Sequence, residues 1–124
     1  MHIGVLQFEL LIPGSASLKD KRRVVKSLKD RLHREHMVSV AEVAALDQHR
    51  LAILALVLVA NDAKYVSATM DRIIERLRCL HDAELGEFSR EVISGDVIER
   101  GDDEPDAGEL WSAAESRSAR EGGA

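Results

Sequence analysis

Residues 50–80 read RLAILALVLVANDAKYVSATMDRIIERLRCL, and two different periodicities meet in them. Positions 51–60 are apolar without a break, so both faces of a strand would be apolar, which argues for a central place in its sheet. Asn61-Asp62 then offers an N-cap. Beyond it Val66, Met70, Ile73, Leu77 and Leu80 follow at spacings of four and three, the signature of a helix with one apolar stripe over about 63–80. A buried strand running into an amphipathic helix is half of a two-layer α/β unit.

Working outward, residues 2–12 alternate with the period of a strand, Leu6, Phe8 and Leu10 on one face and Val5, Gln7 and Glu9 on the other. Pro13-Gly14 ends that strand. Ser17 stands three residues before Asp20, a carboxylate variant of the capping box, and opens a helix to about residue 36. Leu18, Val25, Leu28 and Leu32 form its apolar stripe, with Val24 at the margin. Residues 37–45 are β-branched and small, a second strand, and Leu46-Asp47-Gln48-His49 turns the chain into the third. Residues 83–93 make a weaker fourth strand with Gly86 and four charged side chains, suited to an edge. The order β-α-β-β-α-β predicts a ferredoxin-like α+β sandwich over residues 1–93: a four-stranded antiparallel sheet with two helices on one face.

The composition agrees with one domain of 124 residues, 45% of them hydrophobic. The aromatic residues are Phe8, Tyr65, Phe88 and Trp111, so the core has to be aliphatic. The ten-residue apolar run is about half of a membrane-spanning helix, and no membrane role is expected. No basic stretch leads into an apolar segment and cleavage site at the N-terminus, and a single cysteine excludes an internal disulfide framework. A soluble cytoplasmic protein is the expectation.

Charge is divided unevenly. Residues 1–93 carry 14 basic and 13 acidic side chains, whereas residues 94–124 carry 3 and 9, for a net charge of −6. That second stretch is poor in large apolar residues and is expected to be a mostly disordered acidic tail. Residues 17–36 hold eight basic against three acidic side chains. At 100° per residue, Lys19, Arg22, Arg23, Lys26, Lys29 and Arg34 share an arc of about 140° beside the apolar stripe, with Asp30 inside it. Such a face can follow a phosphate backbone, or it can be a solvated surface that keeps the domain soluble. Without interleaved aromatics the expected ligand is structured RNA read by backbone and shape.

Lys21 is anomalous, because its angle falls within the apolar stripe. Three readings are open: a stem snorkelling to water, a salt bridge to Glu42, or a weak anion site made by Lys21 and Ser17 at the helix N-terminus. On the third strand one of two apolar rows has to lie outside the helix layer, Leu51, Ile53, Ala55, Val57 and Val59 or Leu54, Leu56 and Leu58. An uncovered row predicts a homodimer through the sheet, or docking of another protein. The row carries no aromatic side chains for base stacking.

The case for an enzyme is thin, and no catalytic residue, cofactor or metal is assigned. His33 and His36 lack a metal-ligand pattern with His2, His49 or His81. Cys79, beside the second helix's stripe, is expected to be packed and inert. Glu9 and Glu42 are expected to approach across strands, with nothing to split their acidities for acid–base work.

The run Ser17-Leu18-Lys19-Asp20-Lys21-Arg22-Arg23-Val24-Val25-Lys26-Ser27-Leu28, followed by Val38-Ser39-Val40-Ala41-Glu42-Val43, resembles the YlxP-like family of bacterial proteins, over roughly residues 1–93. The resemblance implies a small ferredoxin-like protein whose genes lie beside those of translation-initiation and ribosome-maturation factors. It brings no catalytic residues. Gln48-His49 stands where relatives often have an aromatic residue, and the tail lies outside the shared domain. The functional expectation is a non-enzymatic accessory factor contacting structured RNA or a ribosomal subunit through the basic helix. The alternative is a sheet-mediated homodimeric interaction or small-ligand module. The tail is open to two readings: a solubilising appendage, or a competitor for the basic helix.

Overall fold

The computed structural model describes residues 1–99. Its elements are β1 (His2–Leu11), α1 (Leu18–Glu35), β2 (Ser39–Ala44), β3 (Leu51–Ala60), α2 (Ala63–Arg78) and β4 (Glu84–Ser94). One antiparallel sheet has the order β2-β3-β1-β4, so β3 is internal and β4 forms an edge, as the apolar run and the charged strand indicate. This is the ferredoxin-like α+β architecture.

Alternation decides which face is covered. Leu6, Phe8 and Leu10 of β1 and Ala52, Leu54, Leu56 and Leu58 of β3 are buried with Val25, Leu28 and Leu32 of α1 and Val66, Met70, Ile73 and Leu77 of α2. Gly4 lets α2 approach the sheet, since a Cβ there would lie 2.6 Å from Val66 Cγ1. The second row of β3 is left outside this layer. Leu51, Ile53 and Ala55 are half-buried, and Val57 and Val59 are 41% and 66% exposed.

Boundaries differ where local geometry outweighs composition. β2 is shorter than residues 37–45, and Met37 stands almost wholly in solvent. α2 stops at Arg78, where Cys79 serves as C-cap and donates its backbone N–H to Arg76 O. Cys79 is exposed, not packed: at 100° per residue it stands roughly 150° away from the stripe of Val66, Met70, Ile73 and Leu77, on the opposite side of the helix. β4 includes Ser94, which pairs with His2, and Met1 and Gly95 exchange backbone hydrogen bonds just beyond. Residues 95–99 are exposed and irregular. The expectation of disorder for the rest of the tail lies outside the described residues. Among them, no helix is long and apolar enough to cross a membrane.

A bulge interrupts the β1–β4 ladder. Phe8 faces Phe88 but Leu10 faces Leu85, so Gly86 and Glu87 together oppose Glu9. The Glu87 N–H donates to Glu9 Oε1 at 2.9 Å, and a Cβ at position 86 would stand 3.0 Å from Glu9 Cβ. Gly86 is thus the space the bulge requires, beyond the weak strand former its composition suggests.

Candidate nucleic-acid interface

The basic helix begins where its sequence says. Ser17 is the N-cap, its Oγ accepting from Asp20 N–H, while Asp20 Oδ2 accepts from Ala16 N–H. With Val25, Leu28 and Leu32 anchored in the core, the cationic arc is turned outward. Lys19, Arg22, Arg23, Lys26 and Arg34 are exposed, and Lys29, nearest the stripe, is half-buried. Among the described residues the ion pairs are Lys21–Glu42, Arg76–Glu35, Arg78–Glu75 and Arg90–Asp71. None of the six cations of the arc belongs to one. Glu35, the acid closing α1, is drawn to Arg76 of α2 at 2.7 Å, which takes it away from Arg34.

Arg23, Lys26, Ser27, Asp30, His33 and Arg34 line one shallow groove along this face. His33 was not grouped with the cations by sequence, although its helical angle lies between those of Arg22 and Lys26. Asp30 is unpaired within 4.0 Å among the described residues, a carboxylate set among positive charges.

Lys21 has a different role from its neighbours. It is 2% exposed, and its Nζ donates to Ala45 O at 2.9 Å and Leu51 O at 3.1 Å, at the two ends of the β2–β3 turn. Glu42 Oε1 approaches Nζ at 2.6 Å, off hydrogen-bond alignment, so this buried oxygen is held by charge alone. The anion site is corrected accordingly: the Lys21 ammonium is shared among a carboxylate and two carbonyls, and the Ser17 hydroxyl is committed to the helix cap. Snorkelling is excluded by the same contacts.

Other candidates do not come together. Glu42 lies on the helix side of the sheet opposite Leu54, whereas Glu9 lies on the open side opposite Ile53. The expected approach of Glu9 to Glu42 is overturned, because strand alternation puts the two on opposite faces. His2 is bonded to Ser94 Oγ at 2.8 Å, and among the described residues no group of three or more His, Cys, Asp or Glu is arranged to hold a metal ion. The open face of the sheet is apolar in its middle, with Val5 of β1 beside Val57 of β3 and Ile3 beside Val59 and Ile93.

A ferredoxin-like domain with an outward cationic helix and one bare sheet face is the class these features define. Residues 3–90 match the family model described as "Protein of unknown function (DUF503)", and the chain belongs to that family. No curated protein matches the chain. The match takes in β2 and β3 whole, β1 from Ile3 and β4 as far as Arg90, and leaves the acidic tail outside.

Proposed function

We propose that this protein is a non-enzymatic accessory factor of the cytoplasm that contacts structured RNA, or a ribonucleoprotein such as a ribosomal subunit, through α1. The observation that carries the reading is the freedom of Lys19, Arg22, Arg23, Lys26, Lys29 and Arg34 from carboxylate partners among the described residues. The arc runs from Lys19 to Arg34, 16 residues and about 22 Å of helix between its ends, long enough to meet several phosphates of one duplex. No aromatic side chain lies on α1, which favours contact with the backbone over stacking on bases. The resemblance to the YlxP-like family, with its gene neighbourhoods, points the same way.

The test is a salt-titrated capture of ribosomal subunits by the wild type and by the triple variant Arg22→Glu, Arg23→Glu, Lys26→Glu. These side chains are exposed, so circular dichroism should be unchanged. The wild type should bind with a log–log salt slope of about −5 if all six cations engage a duplex. The variant should lose binding. Equal capture by the two proteins overturns the assignment.

A second reading, a homodimeric interaction module without a nucleic-acid role, draws on the exposed Val57, Val59 and Ile93. It predicts self-association and no response to charge reversal on α1. Dimerisation is also compatible with the first reading, because the open sheet face lies opposite the helix layer.

A further inference from the structure

We infer that the acidic segment at 102–109 of this same chain docks on the outward face of α1 and competes there with polyanions. The inference rests on α1 being a polyanion site, and concerns how that site is regulated. Asp102, Asp103, Glu104, Asp106 and Glu109 put five carboxylates into eight residues without one basic side chain, in a stretch beyond the 3–90 family match. On α1, six cations face solvent with no carboxylate partner among the described residues. One backbone thus joins a stretch of sequence without basic residues to a helix face whose cations have no carboxylate partner among the described residues.

The topology brings them within reach. Ser94 pairs with His2, His2 with Ala60, and Gly95 is bonded to Met1, so the tail leaves at the end of the sheet where β3 finishes. α1 ends at that same end, because His36 precedes β2, whose first residue Ser39 pairs with Val57. From β4 to β2 there are three strand spacings, about 14 Å, and the helix layer adds about 10 Å. The seven residue steps from Gly95 to Asp102 can span roughly 24 Å. Docking therefore needs no unfolding of β4. With about 14 Å across and about 10 Å up, the straight path is about 17 Å, shorter than the tether's reach, so the tether raises the effective concentration of the carboxylates near the Arg34 end of α1. Asp102–Glu109 would meet the Arg34 end first and then run toward Lys26 and Arg23, past Asp30, whose repulsion favours docking on either side of it.

The test uses the full chain and a variant with Asp102→Asn, Asp103→Asn, Glu104→Gln, Asp106→Asn and Glu109→Gln, compared by backbone amide NMR at low and high salt. Docking predicts shift differences concentrated on α1 from Lys26 to Arg34 at low salt, absent from Lys64 and Arg72 of α2, and abolished by salt. Coincident α1 signals at low salt overturn the docking, whatever the protein binds. Both proteins are then titrated with an RNA duplex of about 16 base pairs, the span of shape-reading contacts. Competition predicts roughly tenfold tighter binding by the neutralised variant at low salt, converging at high salt. Equal affinities overturn competition. Salt-sensitive α1 shifts without duplex binding by either protein overturn the RNA reading and leave the docking supported.

Discussion

Replacing Lys21 by methionine leaves the carboxylate of Glu42 without its counter-charge and the carbonyls of Ala45 and Leu51 without their donor, in a place water barely enters. Removing one partner of a buried pair costs more than removing both. Urea denaturation should therefore show Lys21→Met destabilised by about 3 kcal/mol, and Lys21→Met/Glu42→Leu should recover most of that loss. An additive double variant would show that the two groups do not depend on each other. Gly4 makes a second prediction at this scale. A methyl at position 4 meets Val66, Leu58 and Met70 at 3.1 Å or less, so Gly4→Ala should cost about 1–3 kcal/mol by the same measurement. The Lys21–Glu42 pair, one of three readings open for a charge in an apolar stripe, is present. The two carbonyl acceptors and the role of Gly4 were not open to a reading of local pattern, since Ala45 and Leu51 lie 24 and 30 residues from Lys21 on a turn whose position depends on the finished sheet.

At the scale of the element, α1 was legible almost throughout. Ser17 and Asp20 announced its start, and the 100° projection separated Val25, Leu28 and Leu32, which pack, from the cationic arc, although Leu18 of the same stripe stays exposed in the first turn. Ser17→Ala should lower stability by about 1 kcal/mol through loss of the cap, with the cationic arc unaltered. Asp30 sits in the groove between Lys26 and Arg34, one helical turn from each. If that groove follows phosphates, Asp30→Asn should raise RNA affinity by roughly two- to fivefold at low salt, and the gain should shrink as salt rises. Filter binding across a salt series checks it, and weaker binding would place the carboxylate in the contact as a functional group. β4 was less legible. Its bulge depends on Glu9 of a strand far away in sequence, and Gly86 by itself signals only a weak strand.

The whole molecule shows why a sheet with one bare face was foreseeable while its purpose was not. An apolar run in β3 supplies two rows, and two helices cover one of them. Which row is bare follows from the register: Leu54 and Leu56 share a face with Leu6 and Phe8, and so the row from Leu51 to Val59 faces out. If that row joins two copies, Val57→Lys together with Val59→Lys should convert a dimer to a monomer in sedimentation equilibrium, with circular dichroism unchanged. A wild type that is monomeric at high concentration would remove self-association from the account.

The ladder of β1 carries a consequence for the order of events during synthesis. β1 is the first strand made, yet its two neighbours are the third and the fourth, and the pairing of His2 with Ser94 closes the sheet. Until residue 94 has emerged, β1 lacks one hydrogen-bonded flank, and α2 lacks part of the floor it rests on. Such distant pairings make folding slow relative to local helix formation. The domain of a nascent chain therefore stays unfinished until residue 94 has been translated, and the acidic stretch that follows emerges only after the domain can shut.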